Sequence, residues 1–207
     1  PSPSFKEGDV ADIVEKTMKE AGYDKVVRDD VGNVAGIMYG REASPSLLLS
    51  GHLDVAETSD DGWKFDKYAG DILEGQLRGA GASDCKGGIA SAVYAGAILR
   101  HSILPLKGNL IVAGTVAEES GGSAGMRHLL EKTMPELGIK PAYAVMAEPT
   151  GMAIYRGHSG WANFEVIVQG ADSFAVSDAA NNIFDELVKN RISKTQDSES
   201  ENYRIEK

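Results

Sequence analysis

Hydrophobic positions along the chain follow a helical period in some stretches and form short unbroken runs in others. In SFKEGDVADIVEKTMKEAGY, residues 4–23, Val10, Ile13, Val14, Met18 and Ala21 recur at the spacing of one helix face. Ser4 is the expected cap of this helix and Gly22 its stop. Two short apolar runs follow, KVVRD and VAGIMYG, joined by the turn-forming DDVGN, and read as strands. SLLLSGH, from Ser46, has the length and the unbroken apolar character of a buried strand. A polar loop, ETSDDGWKFDKYAGD, and a hairpin around ILEGQLRG separate it from an alanine-rich helix, Ile89 to Leu99. GNLIVAGTVAEE predicts a second buried strand, SAGMRHLLEKTM another helix, and AYAVMAEPT a third buried strand that ends in a carboxylate.

Strands separated by helices predict an α/β fold, a mostly parallel sheet with helices on both faces. The pattern changes after Gly157. WANFEVIVQG alternates apolar and polar residues as a half-exposed antiparallel strand does, and SDAANNIFDELVKNRIS reads as an amphipathic helix. The tail KTQDSESENYRIEK is too charged to bury and reads as loose. The expected organisation is a first domain over 1–157 and the start of a small second α+β segment over 158–207. No stretch repeats another.

Composition narrows the functional classes. The chain has 207 residues, 42% of them hydrophobic and 25% charged, enough for a sizeable core without disulfides. A formal net charge of −10 argues against nucleic acid, whose phosphates call for a basic face. The one cysteine, Cys85, permits no internal disulfide and fits a reducing compartment. No signal-peptide pattern opens the chain, and no apolar run approaches the ~20 residues of a membrane-spanning helix. The expectation is a cytoplasmic protein with no membrane or nucleic-acid partner.

The strand ends carry the candidate chemistry. His52 and Asp54 follow the first buried run, Glu118 and Glu119 the second, and Glu148 the third, while Asp84 sits in a glycine-rich turn before a helix, GAGASDCKGG. Parallel strands share a carboxyl edge, so these groups would converge there. One imidazole among several carboxylates suits zinc and similar divalent ions. Neighbours on a strand point to opposite sides, so of Glu118 and Glu119 one could bind metal while the other faces substrate.

SGHLDVAE, GAGASDCKGG, AGTVAEESGG and VMAEPT, in that order and spacing, resemble the zinc-dependent amidohydrolases of the acetylornithine deacetylase, succinyl-diaminopimelate desuccinylase and carboxypeptidase G family. The resemblance runs from PSPSFKEGDVA through RGHSGWANFEVIVQG. It implies that His52 is a terminal ligand of one metal and that Asp54 orients its imidazole. Asp84 corresponds to the bridging ligand, Glu119 to a ligand of the second metal, and Glu148 completes the first site. Glu118 corresponds to the general base that takes a proton from the attacking water. The implied cofactor is Zn2+, two per site, with Co2+ or Mn2+ as alternatives. The implied substrate is an N-acyl amino acid or small peptide. Family members often dimerise through the lid, so the resemblance leaves a homodimer or a monomer open.

Three departures from the family pattern stand out. No histidine follows His158, which leaves the second metal site a ligand short. Phe174 stands where the lid's oxyanion-stabilising histidine is expected, and loss of such a donor typically costs about 10²–10³ in rate. Ala80 and Cys85 replace an arginine and a methionine, and Cys85 reads as a small buried apolar substitute. Of the remaining histidines, His101 reads as ending a helix and His128 as lying within one. Trp63 and Trp161 read as packing anchors. Two functional readings follow: a metal-dependent amide hydrolase, or a shortened, metal-binding but inactive relative. A generic binding domain whose strand-end acids merely face water leaves the four ordered motifs unexplained.

Overall fold

The computed structural model describes residues 1–58, 62–102, 105–120, 122–157, 176–179, 181–183 and 185–186. The chain divides into two units, Pro1–Tyr155 and Arg156–Lys207. In the second, the residues of 176–186 that are described are helical. The expected strand at 161–170, His158, Trp161, Phe174 and the charged tail lie outside the described residues.

The first unit is built on helix α1 (Gly8–Glu20), strands β1 (Lys25–Arg28), β2 (Val34–Met38) and β3 (Leu47–His52), the hairpin β4 (Asp71–Leu73) and β5 (Gln76–Arg78), helix α2 (Gly87–His101), strand β6 (Leu110–Thr115), the helical stretch that begins with α3 (Ala124–His128), and strand β7 (Tyr143–Met146). Five strands form one sheet in the order β1-β2-β6-β3-β7. β6 lies at its centre with every residue buried, which is why its sequence is unbroken apolar rather than alternating. Leu110 and Val112 face α1 and α2 together with Val34 and Met38, meeting Ala11, Met18, Ile89 and Val93. Ile111 and Ala113 face the opposite side with Ala35, Ile37 and Leu48, against Leu129 and Met134. Helices therefore cover both faces, as the sequence pattern predicts.

The sheet is mixed. β6 pairs parallel with β3, and β3 parallel with β7, but β1–β2 and β2–β6 are antiparallel. The five-residue turn at 29–33 is too short for a crossover and forces β1 and β2 into a hairpin. Three further expectations are corrected. Ser4 does not cap α1; its hydroxyl donates to Asp54 Oδ2 at 2.7 Å, and Glu7 occupies the cap position. Ile13 points to solvent, and Ala11 takes its place in the core. β7, the edge strand, is exposed along its whole length, with neither face covered among the described residues. Gly22 does end α1: at φ 77° it lets the Gly22 and Tyr23 amides turn back to the carbonyls of Lys19 and Met18.

This topology places the site. The chain leaves β3 over α2 to reach β6 on one side, then crosses the opposite face through α3 to reach β7 on the other. The carboxyl end of β3 is thus the point where the connections diverge, the position at which open α/β sheets bind their ligands. Among the described residues no helix is long and apolar enough to cross a membrane.

Candidate metal centre

His52 is the last residue of β3 and is buried. Its Nδ1 lies 2.9 Å from the main-chain oxygen of Asp54 and its Nε2 lies 2.9 Å from Asp84 Oδ1. A hydrogen on Nδ1 directed at the carbonyl leaves Nε2 as the atom that meets Asp84. Burial alone would make the imidazole harder to protonate. Hydrogen bonds with Asp54, Cys85 and Asp84, with the charge attraction of Cys85, outweigh it and push the pKa up to about 12.

Asp54 is completely buried, and its carboxylate lies 3.4 Å from His52 Nδ1, farther than its own carbonyl. The carboxylate mainly accepts other bonds: Oδ1 from the Glu118 amide at 3.1 Å, and Oδ2 from the Glu119 amide at 2.9 Å and from Ser4. Burial works to raise its pKa, but the bonds from His52, Ser4 and these two amides hold it well below the usual carboxylate range.

The expected strand-end geometry of Glu118 and Glu119 is corrected. β6 stops at Thr115, Ala117 adopts a left-handed φ of 54°, and both glutamates lie on the turn beyond it. Opposite-face alternation does not apply to them; what aims them is the grip of Asp54 on their amides. Glu119 Oε1 in turn accepts the Ala56 amide at 3.2 Å, next to the β3 end.

Asp84 sits in the turn Ala82–Lys86 that leads into α2. Cys85 is buried beneath the end of β3, where its sulfur accepts the His52 amide at 2.9 Å. A Cβ on Gly51 would come 2.7 Å from that sulfur, so the glycine before His52 is what lets the turn approach. Cys85 is buried as expected, but it is a polar partner of the His52 main chain rather than an inert filler.

His52, Asp84 and Cys85 have donor atoms within 4.8 Å of one another. Glu119 and Glu148 complete the electrostatic picture from the other two strand ends. Burial raises the pKa of Glu119, and repulsion from Asp84 and Glu118 adds to it. Burial also raises that of Glu148, which feels repulsion from Asp84, Glu118 and Glu119. Carboxylates that disfavour one another's ionisation around one imidazole are a donor set that a divalent cation would relieve. The residues fit such an ion. A second group, Asp29, Asp30 and His128, lies at the 29–33 turn, but Lys132 Nζ is already 2.6 Å from Asp30 Oδ2 and supplies the countercharge. Sequence reasoning missed Glu7 and Asn33, which hold the turn after β6. No local pattern marks them.

Comparisons with known proteins agree with this fold. Residues 48–202 match the model of peptidase family M20/M25/M40. Uncharacterized protein YgeY of Escherichia coli (strain K12) is 34% identical over 171 residues, covering 82% of this chain and 41% of that one. The N-formyl-4-amino-5-aminomethyl-2-methylpyrimidine deformylase of Bacillus subtilis (strain 168) is 32% identical over 145 residues, covering 69% and 32%. The M20 family metallo-carboxypeptidase Sso-CP2 from Sulfolobus solfataricus superposes with a TM-score of 0.59 at 22% identity, over 70% of this chain and 34% of that one. The fold and the ordered strand-end motifs are those of a metallopeptidase-type α/β domain. The chain belongs to peptidase family M20/M25/M40, and it spans less than half the length of the curated relatives it matches.

Proposed function

We propose that the chain carries the metal centre of a hydrolase that cleaves an amide bond of an N-acyl amino acid or small peptide. What supports this reading is His52 Nε2 lying 2.9 Å from Asp84 at the carboxyl end of β3, with Glu119 and Glu148 close enough to feel the charges of both, where three strands run parallel. His52, Asp84 and Glu148 would hold one divalent ion, and Asp84 and Glu119 a second. Zn2+ is the first choice, with Co2+ or Mn2+ as alternatives. The chemistry supplied there when an ion is bound is acidification of water towards a pKa of ~7 and polarisation of the scissile carbonyl. Glu118 then takes the water's proton and delivers it to the leaving amine. Asp54 fixes the imidazole through its carbonyl and the Glu118 turn through its carboxylate. Deacylase and peptidase names among the relatives support a small acylated or peptide substrate, and the single cysteine supports a cytoplasmic setting.

The test is metal content after dialysis against trace zinc, followed by assays on N-acyl amino acids. About two equivalents in the wild type, lost in Asp84→Ala, support the binuclear reading. Glu118→Gln should then keep its metal and lose about 10²–10⁴ in turnover. One equivalent would assign a single His52 site. None would overturn the hydrolase reading for this chain, and with it the metal-binding alternative.

A further inference from the structure

The turn after β6 is held in an unusual way. Four consecutive amides donate to side-chain oxygens from three distant parts of the chain: Val116 to Asn33 Oδ1 at 3.0 Å, Ala117 to Glu7 Oε1 at 2.9 Å, and Glu118 and Glu119 to the Asp54 carboxylate. Ala117 is left-handed, a conformation that L-residues avoid unless the surroundings hold it. Glu7 is buried, and the same Oε1 also accepts the Phe5 amide at 2.9 Å.

The rest of the N-terminal segment is tied to the same site. The Ser2 hydroxyl donates to the Leu53 carbonyl at 2.8 Å, and the Val55 amide donates to the Ser2 carbonyl at 2.9 Å. Lys86, just past Asp84 and Cys85, donates to Ser2 Oγ at 2.8 Å, and Ser4 donates to Asp54. Residues 2–7 thus touch three of the four segments that carry candidate site residues: 53–55, the turn into α2, and the turn after β6. The segment precedes the part of the chain that matches the family model.

We propose that residues 2–7 are a positioning strap, in which Glu7, assisted by Ser4 through Asp54, sets the turn that aims Glu118 and Glu119. Neither Glu7 nor Ser4 touches the reacting atoms; both act through the backbone they hold. The inference rests on the reading of Glu118 as base and Glu119 as second-ion ligand. A strap that served only the fold would stabilise the whole sheet evenly. A positioning strap acts on the turn, because the Phe5 and Ala117 amides lose the carboxylate oxygen that accepts them when Glu7 is truncated.

Amide-resolved hydrogen exchange on the metal-free chain separates these cases, and titration with Co2+ followed by its visible absorption adds a second readout. In Glu7→Ala, exchange at Ala117, Glu118 and Glu119 should rise about tenfold or more, with Leu110–Thr115 of β6 unchanged. The second Co2+ step should weaken about tenfold while the first stays within about twofold. Glu7→Gln, whose amide oxygen can accept both hydrogens, should behave as wild type. Unchanged exchange at 117–119, or equal acceleration in β6, would overturn the strap. If Glu7→Ala does not fold, Ser4→Ala decides: faster exchange confined to Glu118 and Glu119 supports the strap, and none overturns it. A wild type that binds no Co2+ would defeat the metal reading alone, because the exchange result still decides the strap.

Discussion

Asp54 shows how one residue can serve two purposes at once. Its carbonyl meets the imidazole of His52, and its carboxylate, with no exposed surface, receives two amides and a hydroxyl. In Asp54→Asn an NH2 group must replace one acceptor and face an N–H or O–H donor. The expected cost is about 3 kcal/mol, read from urea unfolding of the metal-free chain. The pH dependence has a definite sign. A carboxylate whose folded pKa is depressed stabilises the fold above its unfolded pKa, near 3.9, and loses that contribution as pH falls through the folded value. The gap between wild type and Asp54→Asn should therefore be constant from pH 7 to about 5 and shrink below about pH 4. A gap that widens towards acid would contradict the assignment.

Among the elements, the packing of α2 against Tyr23, just past the end of α1, depends on an absent side chain. A Cβ on Gly96 would come 2.1 Å from the Tyr23 hydroxyl oxygen, which donates to the Val93 carbonyl at 3.0 Å. In an exposed helix Gly→Ala gains roughly 1 kcal/mol. Here the clash with a buried ring outweighs that gain, and Gly96→Ala should destabilise the fold by about 1–3 kcal/mol. Calorimetry should show a lower Tm, with partial recovery in the Tyr23→Phe, Gly96→Ala double variant, where the hydroxyl is gone. A higher Tm for Gly96→Ala would mean that α2 moves away from Tyr23 at no cost.

Among the described residues, the sheet presents an exposed apolar border at β7. Tyr143 and Val145 of β7 are 67% and 56% exposed, and an apolar hollow of about 760 Å³ lined by Leu48, Met126, Leu130, Ile139 and Met146 lies beside it. An apolar edge strand with free amides and carbonyls is a template for pairing. The sequence pattern places β7 in the interior. Val145→Lys should shift sedimentation at high concentration towards the monomer while leaving the metal equivalents unchanged. An unaltered distribution would exclude β7 as the self-associating surface.

Local pattern was enough to read the elements. Helical spacing marks α1, glycine marks its end, and unbroken apolar runs mark β3 and β6, because a strand buried on both faces has no room for polar alternation. The candidate site residues drew attention for a related reason: strand ends on a shared carboxyl edge converge, which singled out His52, Glu118, Glu119 and Glu148 by position, with Asp84 in the turn before a helix, while the role proposed for each comes from the family resemblance. What the sequence could not determine was each group's neighbour. An apolar run such as YAVM has the same local signature at an edge as in the middle of a sheet, and only the strand order exposes β7. Ser4 looks like a helix cap, but the buried Asp54 carboxylate, 50 positions away, claims its hydroxyl. Glu7 gives no local sign that it meets an amide 110 positions further on. Local propensity acts over a few residues, whereas the partner of a buried polar group is chosen by whichever donor the folded chain brings within hydrogen-bond reach.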